Sequence, residues 1–282
     1  MGGLPAMPEV APPVSPASDA PPIGDALRAF ALDELANAAR QLAREGGERH
    51  AGIHQARKSL RRVRATLALA RRALGEPGRQ LDGDIAGLCR GLSALRDGQA
   101  LVEALKRLDP AESPALQALL PQAIELAKAR REALLQRALA REPDLARRRQ
   151  RIQGFARRLA RLPWDEVRGK RVARAIARSE RRLDKARARV ARQPGHDERW
   201  HVLRRLRRLR QQDHLLLALA SDLRPVAGVP LDEATMLGEA QDDVLLLRHC
   251  GSRSPFPPAL RRELRAVARE RLRRVREAVA AA

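Results

Sequence analysis

The chain has 282 residues, enough for one large domain or two units of about 140, and carries 56 Lys and Arg against 34 Asp and Glu, a formal net charge of +22. Such an excess favours polyanionic partners (nucleic acid, an anionic membrane surface or polyphosphate) over neutral or cationic ones. Five aromatic residues among abundant Leu, Ala and Arg argue against a sheet protein, two cysteines (Cys89 and Cys250) are too few for a disulfide framework or a zinc set, and no apolar run reaches membrane-spanning length.

Residues 1–22 are rich in Pro, Ala, Ser and Gly and read as a disordered tail. They lack a basic segment followed by an apolar one, so no secretory leader is expected and the protein reads as cytoplasmic. A first helix is expected over 24–44, with Leu27, Phe30, Leu35 and Leu42 facing inward, and Gly46-Gly47 breaks it. A second is expected over 48–73, ended by a turn at Gly75-Glu76-Pro77-Gly78. A third spans 80–108. Ser113-Pro114, a cap followed by Pro at the first helical position, opens a fourth that reaches 140. Glu142-Pro143-Asp144 interrupts the pattern, and a shorter helix follows over 144–162. Four more are expected over 166–192, 197–220, 231–249 and 256–281. Short connections between long amphipathic helices imply antiparallel bundles.

The second helix carries an unusual stripe. At 100° per residue, His54, Arg57, Arg61 and Arg64 fall at roughly 0°, −60°, −20° and −80°, while Leu60, Val63 and Leu67 face the other way. No Asp or Glu lies between Ala51 and Gly75. Like charges three and four residues apart repel, so an anionic partner would relieve this face. The spacing recurs 147 residues later as His201, Arg204 and Arg208. Each copy lies on the second helix of a four-helix run. Each is followed by a related segment, Leu95-Arg96-Asp97 in the first half and Leu237-Gly238 through Asp242 in the second. Two copies at matching positions imply two related helical halves. Residues 141–210, which include the second copy, hold 25 Lys and Arg against 8 Asp and Glu.

These residues resemble the conserved histidine α-helical domain, or CHAD domain. Its members usually show a histidine, an Arg three residues later, a basic residue seven later and often an Arg ten later. His54, Arg57, Arg61 and Arg64 match throughout. His201, Arg204 and Arg208 match until the tenth position, where Gln211 stands. The aromatic that often follows is replaced by Ala65 and Gln212. The resemblance covers about 23–281. It implies an all-helical fold of two bundles with internal pseudo-symmetry and a basic surface or channel. It also implies binding of inorganic polyphosphate and localisation to polyphosphate granules. Some members are fused to a triphosphatase with an E-x-E-x-K signature. That signature is missing here, so no such activity is carried over.

The expected fold is therefore all-α: two pseudo-symmetric antiparallel four-helix bundles, 23–140 and 165–282, joined by a linking helix at 141–164. Arg57, Arg61, Arg64, Arg204 and Arg208 are the foremost phosphate ligands, because guanidinium forms bidentate, charge-assisted bonds to phosphate oxygens. Lys58, Arg62 and Arg205 flank the stripes. His54 and His201 can donate to phosphate, orient an arginine or join helices. Asp97 and Asp242 are expected to pair with basic residues and fix their direction. No metal set, phosphate-cradling glycine loop or activated nucleophile is recognisable, and no cofactor is called for. The expected function is noncatalytic binding of inorganic polyphosphate or another phosphate-rich polyanion. The alternative is a basic helical protein that binds nucleic acid.

Overall fold

The computed structural model describes residues 21–109, 114–193, 195–225, 231–251 and 254–281. Residues 1–20 of the expected tail and the expected cap at Ser113 lie outside them. The described residues form ten α-helices and no strand: α1 (Ile23–Leu42), α2 (Arg49–Ala70), α3 (Gly75–Gly91), α4 (Ser93–Lys106), α5 (Pro114–Arg141), α6 (Ala146–Ala160), α7 (Gly169–Arg192), α8 (His196–Leu219), α9 (Leu231–His249) and α10 (Pro258–Ala281). None is long and apolar enough to cross a membrane.

The helix expected over 80–108 is two helices. Gly75, at φ +58, starts α3 directly. The segment read as a turn is thus its first turn, where Pro77 lacks only an N–H that has no intrahelical partner. The break comes at Leu92, which has φ −96 and ψ 0. Leu92 is itself fully buried, and its side chain belongs to the largest apolar cluster. The joint between α5 and α6 falls where Glu142-Pro143-Asp144 places it. Asp144 and Leu145 there adopt left-handed φ of 51 and 53, which costs a residue with a Cβ roughly 1–2 kcal/mol. The Glu142 carboxylate accepts the Arg148 backbone N–H at 2.8 Å, and Arg49 donates to Asp144 at 3.3 Å, holding the bend.

Two of the three apolar clusters draw on helices from both of the expected halves. The largest joins the stripe Leu27, Ala31, Leu35, Ala38 and Leu42 of α1 to α2, α3, α6 and α7 and to Leu215 and Leu216 of α8. A second joins Leu101 and Leu105 of α4 and Leu116 and Leu120 of α5 to Leu246 of α9 and Leu260 and Leu264 of α10. A third lies among α7, α8 and α9. Each fully buried Leu contributes about 1.5–3 kcal/mol. That incentive is met by pairing hairpins from opposite halves.

Close backbone approach positions α2 against α1. A Cβ on Gly52 would stand 2.2 Å from the Gln41 carbonyl oxygen. On its other sides α2 packs against α3, α7 and α8, so the face bearing the basic stripe ends up between α3 and α8.

Candidate anion-binding cleft

The two stripes meet in one cleft of about 430 Å³. Helix α2 contributes Arg57, Arg61 and Arg64. Helix α8 contributes Arg204, Arg207 and Arg208, with Gln211 and Trp200. The wall is completed by Arg90 and Cys89 of α3 and Ser93 at the start of α4. Among the described residues seven arginines line the cleft, and no Asp or Glu does. The first stripe supplies its third, seventh and tenth positions after the histidine. The second supplies the same three, as Arg204, Arg208 and Gln211.

The guanidinium groups differ in what already holds them. Arg64 is countered by Asp82, to which it donates at 2.6 Å and 3.4 Å. Arg57 donates to the Cys89 carbonyl oxygen and to Ser93 Oγ at 3.2 Å. These are neutral partners, which orient the group without cancelling its charge. The buried Nε atoms of Arg57 and Arg61 have no partner. Burial pushes the Arg61 guanidinium down to about 10, with Arg57 and Arg207 adding to the effect. Burial likewise lowers Arg208, next to Arg64, and Arg207, next to Arg96. All remain cationic at neutral pH. The result is a half-enclosed set of cations held together by packing against their own repulsion. An anion with several oxygens would take the open donors through charge-assisted bonds, in a medium that strengthens them.

Other sequence-selected residues stand elsewhere. His54 and His201 are half-buried on α2 and α8 and are not part of the cleft wall. Burial lowers the His54 pKa, Glu103 opposes that, and Lys58, Arg61 and Arg96 add to it, which favours the neutral imidazole. Arg62 turns away to Glu34, to which it donates at 2.8 Å. Lys58 and Arg205 also lie outside the wall. Asp97 pairs with Arg96 at 3.4 Å. Asp242 accepts from Arg107 and lies 4.0 Å from Arg96. The two acidic segments thus meet around Arg96, where α4 packs on α9. Burial raises the Asp242 carboxyl, and Arg107 and Arg96 pull it back down.

Sequence reasoning missed Arg207, Arg90 and Trp200. Arg207 aligns with the buried Leu60 of the first copy, so the repeat itself argues against it. Arg90 lies outside both stripes, on a helix whose end was not foreseen. Among the described residues no three His, Cys, Asp or Glu side chains converge as a metal site.

The CHAD domain family model matches residues 26–251. No curated protein matches the chain. The crystal structure of the CHAD domain from the plant Ricinus communis shares the fold, with a TM-score of 0.63 at 21% identity, covering 98% of this chain and 97% of that one. The match spans well over half of the sequence, and the chain belongs to the CHAD domain family.

Proposed function

We propose that the protein binds inorganic polyphosphate without chemical turnover, using the arginine cleft between α2 and α8. The observation that carries this reading is the wall itself: among the described residues seven arginines line it and no carboxylate does, with Asp82 paired to Arg64. A linear phosphate polymer offers oxygens at every unit and can satisfy several guanidinium groups at once. Pairing of the same three positions from each stripe supports reading the halves as copies related by a local two-fold. Residence in the cytoplasm, in association with polyphosphate granules, belongs to the same reading.

The nucleic-acid alternative has one point in its favour. Trp200 lies in the wall, and an indole among arginines is a platform for a base. The deciding experiment is competition among polyphosphate, duplex DNA and single-stranded RNA at fixed ionic strength. Polyphosphate should win at equal phosphate concentration. Equal or stronger binding of either nucleic acid overturns the assignment. Incubation of polyphosphate with the protein and Mg²⁺ or Mn²⁺ should leave chain length unchanged, and progressive shortening would overturn the noncatalytic reading.

A further inference from the structure

Helix α7 carries more positive charge than its position requires. Its apolar residues Val172, Ile176, Leu183 and Val190 are buried along one side. On the opposite side Arg174, Arg178, Arg181, Arg182, Lys185 and Arg189 fall within an arc of about 100° at 100° per residue. The helix has two acids, Glu180 and Asp184, and both fall outside that arc. The basic face follows a helix of 24 residues, about 36 Å at 1.5 Å per residue.

An ordinary solvated helix face alternates its charges, so that pairs four residues apart attract. Here Arg174–Arg178, Arg178–Arg182, Arg181–Lys185 and Lys185–Arg189 all repel. Arg178 is half-buried, and Arg72 from the end of α2 adds a further cation beside it. The face is also continuous with the cleft. Helix α7 packs along α8 and against α2. Arg182 is close enough to act on Arg205 and on Arg208, which lines the cleft wall.

We propose that this face of α7 extends the cleft and holds the part of a long polyphosphate chain that emerges from it, so that the protein prefers long chains to short ones. The inference rests on the polyphosphate reading of the cleft. A short oligophosphate is satisfied by the cleft alone. A long one gains further contacts along α7 and releases more counterions on binding.

The test compares tripolyphosphate with long-chain polyphosphate. The variant is Arg174→Gln/Arg181→Gln/Lys185→Gln, three exposed side chains whose removal leaves the core intact. Tripolyphosphate affinity should change less than threefold. Long-chain affinity should fall tenfold or more, and its dependence on salt should flatten by about 0.7 per cation removed, as for a single-stranded polyanion. Equal loss for both ligands, or no loss for the long chain, overturns the extension and leaves the cleft reading standing. Loss confined to duplex DNA also overturns it, making the face a nucleic-acid surface. If the unaltered protein binds neither phosphate ligand, the cleft reading itself fails.

Discussion

Gln212 donates from Nε2 to the carbonyl oxygen of Ala65 at 3.3 Å, and the two residues occupy the same position of the two stripes, 147 residues apart. The bond ties α2 directly to α8, which are packed against each other. The contact lies one residue beyond Arg64 and Gln211, the last positions of the cleft. Gln212 is fully buried, and its Oε1 has no partner. It therefore fixes the register of the two basic helices at the cost of one unsatisfied acceptor.

Replacing Gln212 should separate these two effects. Gln212→Ala opens a cavity and should destabilise the protein by about 1–3 kcal/mol. Gln212→Met keeps the volume and removes the orphaned oxygen, and should cost less than about 1 kcal/mol. Urea denaturation measures both. A Met variant weaker than the Ala variant would contradict the packing argument.

Arg61 and Arg208 should trade stability against binding. Each is a poorly countered cation in the cleft. Arg61→Met should stabilise the ligand-free protein by about 1 kcal/mol while weakening polyphosphate binding tenfold or more. Arg208→Met should behave in the same direction. His54→Gln, outside the wall, should change affinity less than threefold. Thermal melts with and without polyphosphate, combined with calorimetric titration, check all three. A ligand at one hundred times its Kd stabilises by about 2.7 kcal/mol, and the Arg61 variant should lose most of that shift.

Asp243 should impose a pH dependence on stability. It is 4% exposed and pairs with Arg271 at 3.3 Å. Burial nevertheless pushes its carboxyl up to about 6, with Asp242 and Glu239 adding to the rise. The folded state thus holds this proton more tightly than the unfolded chain. The associated stability is fully present below the ordinary value of 3.8 and is lost as pH rises through about 6. Relative to wild type, Asp243→Asn should therefore gain about 1–3 kcal/mol between pH 4 and pH 7. Paired denaturation curves across that window would show the gain, and a pH-independent difference would contradict it.

Gly52 should tolerate no side chain. A Cβ there meets the Gln41 carbonyl oxygen at 2.2 Å, and that oxygen is backbone, which cannot swing aside. Gly52→Ala must push α2 off α1, at about 2–4 kcal/mol. The displacement also moves the basic stripe, so affinity should fall with stability. An Ala variant as stable as wild type would show that the two helices have slack.

The helices that bear periodic apolar stripes are legible in the sequence, as is the recurrence of one basic stripe on two of them. Stripes such as Leu27, Ala31 and Leu35 encode the element and its buried face at once. The break at Leu92 was not legible, because Leu is a good helix former and the bend serves tertiary packing. Arg57, Arg61 and Arg64 were found through their shared face. Charge alone groups Arg62 with them, yet Glu34 on α1 draws it away, a contact set by how the helices pack. Arg207 and Arg90 reach the cleft only because α3 and α8 close over it, and no local spacing records that event.

The second apolar cluster has a consequence for synthesis. Its parts on α4 and α5 are complete once residue 141 has been made, but their cover on α10 begins at residue 258. At about 5–20 residues per second, a nascent chain carries that greasy surface uncapped for roughly six to twenty seconds. A truncated or stalled product of the first half would therefore be a sticky species, and full-length yield should depend on a chaperone holding it until the last helix arrives.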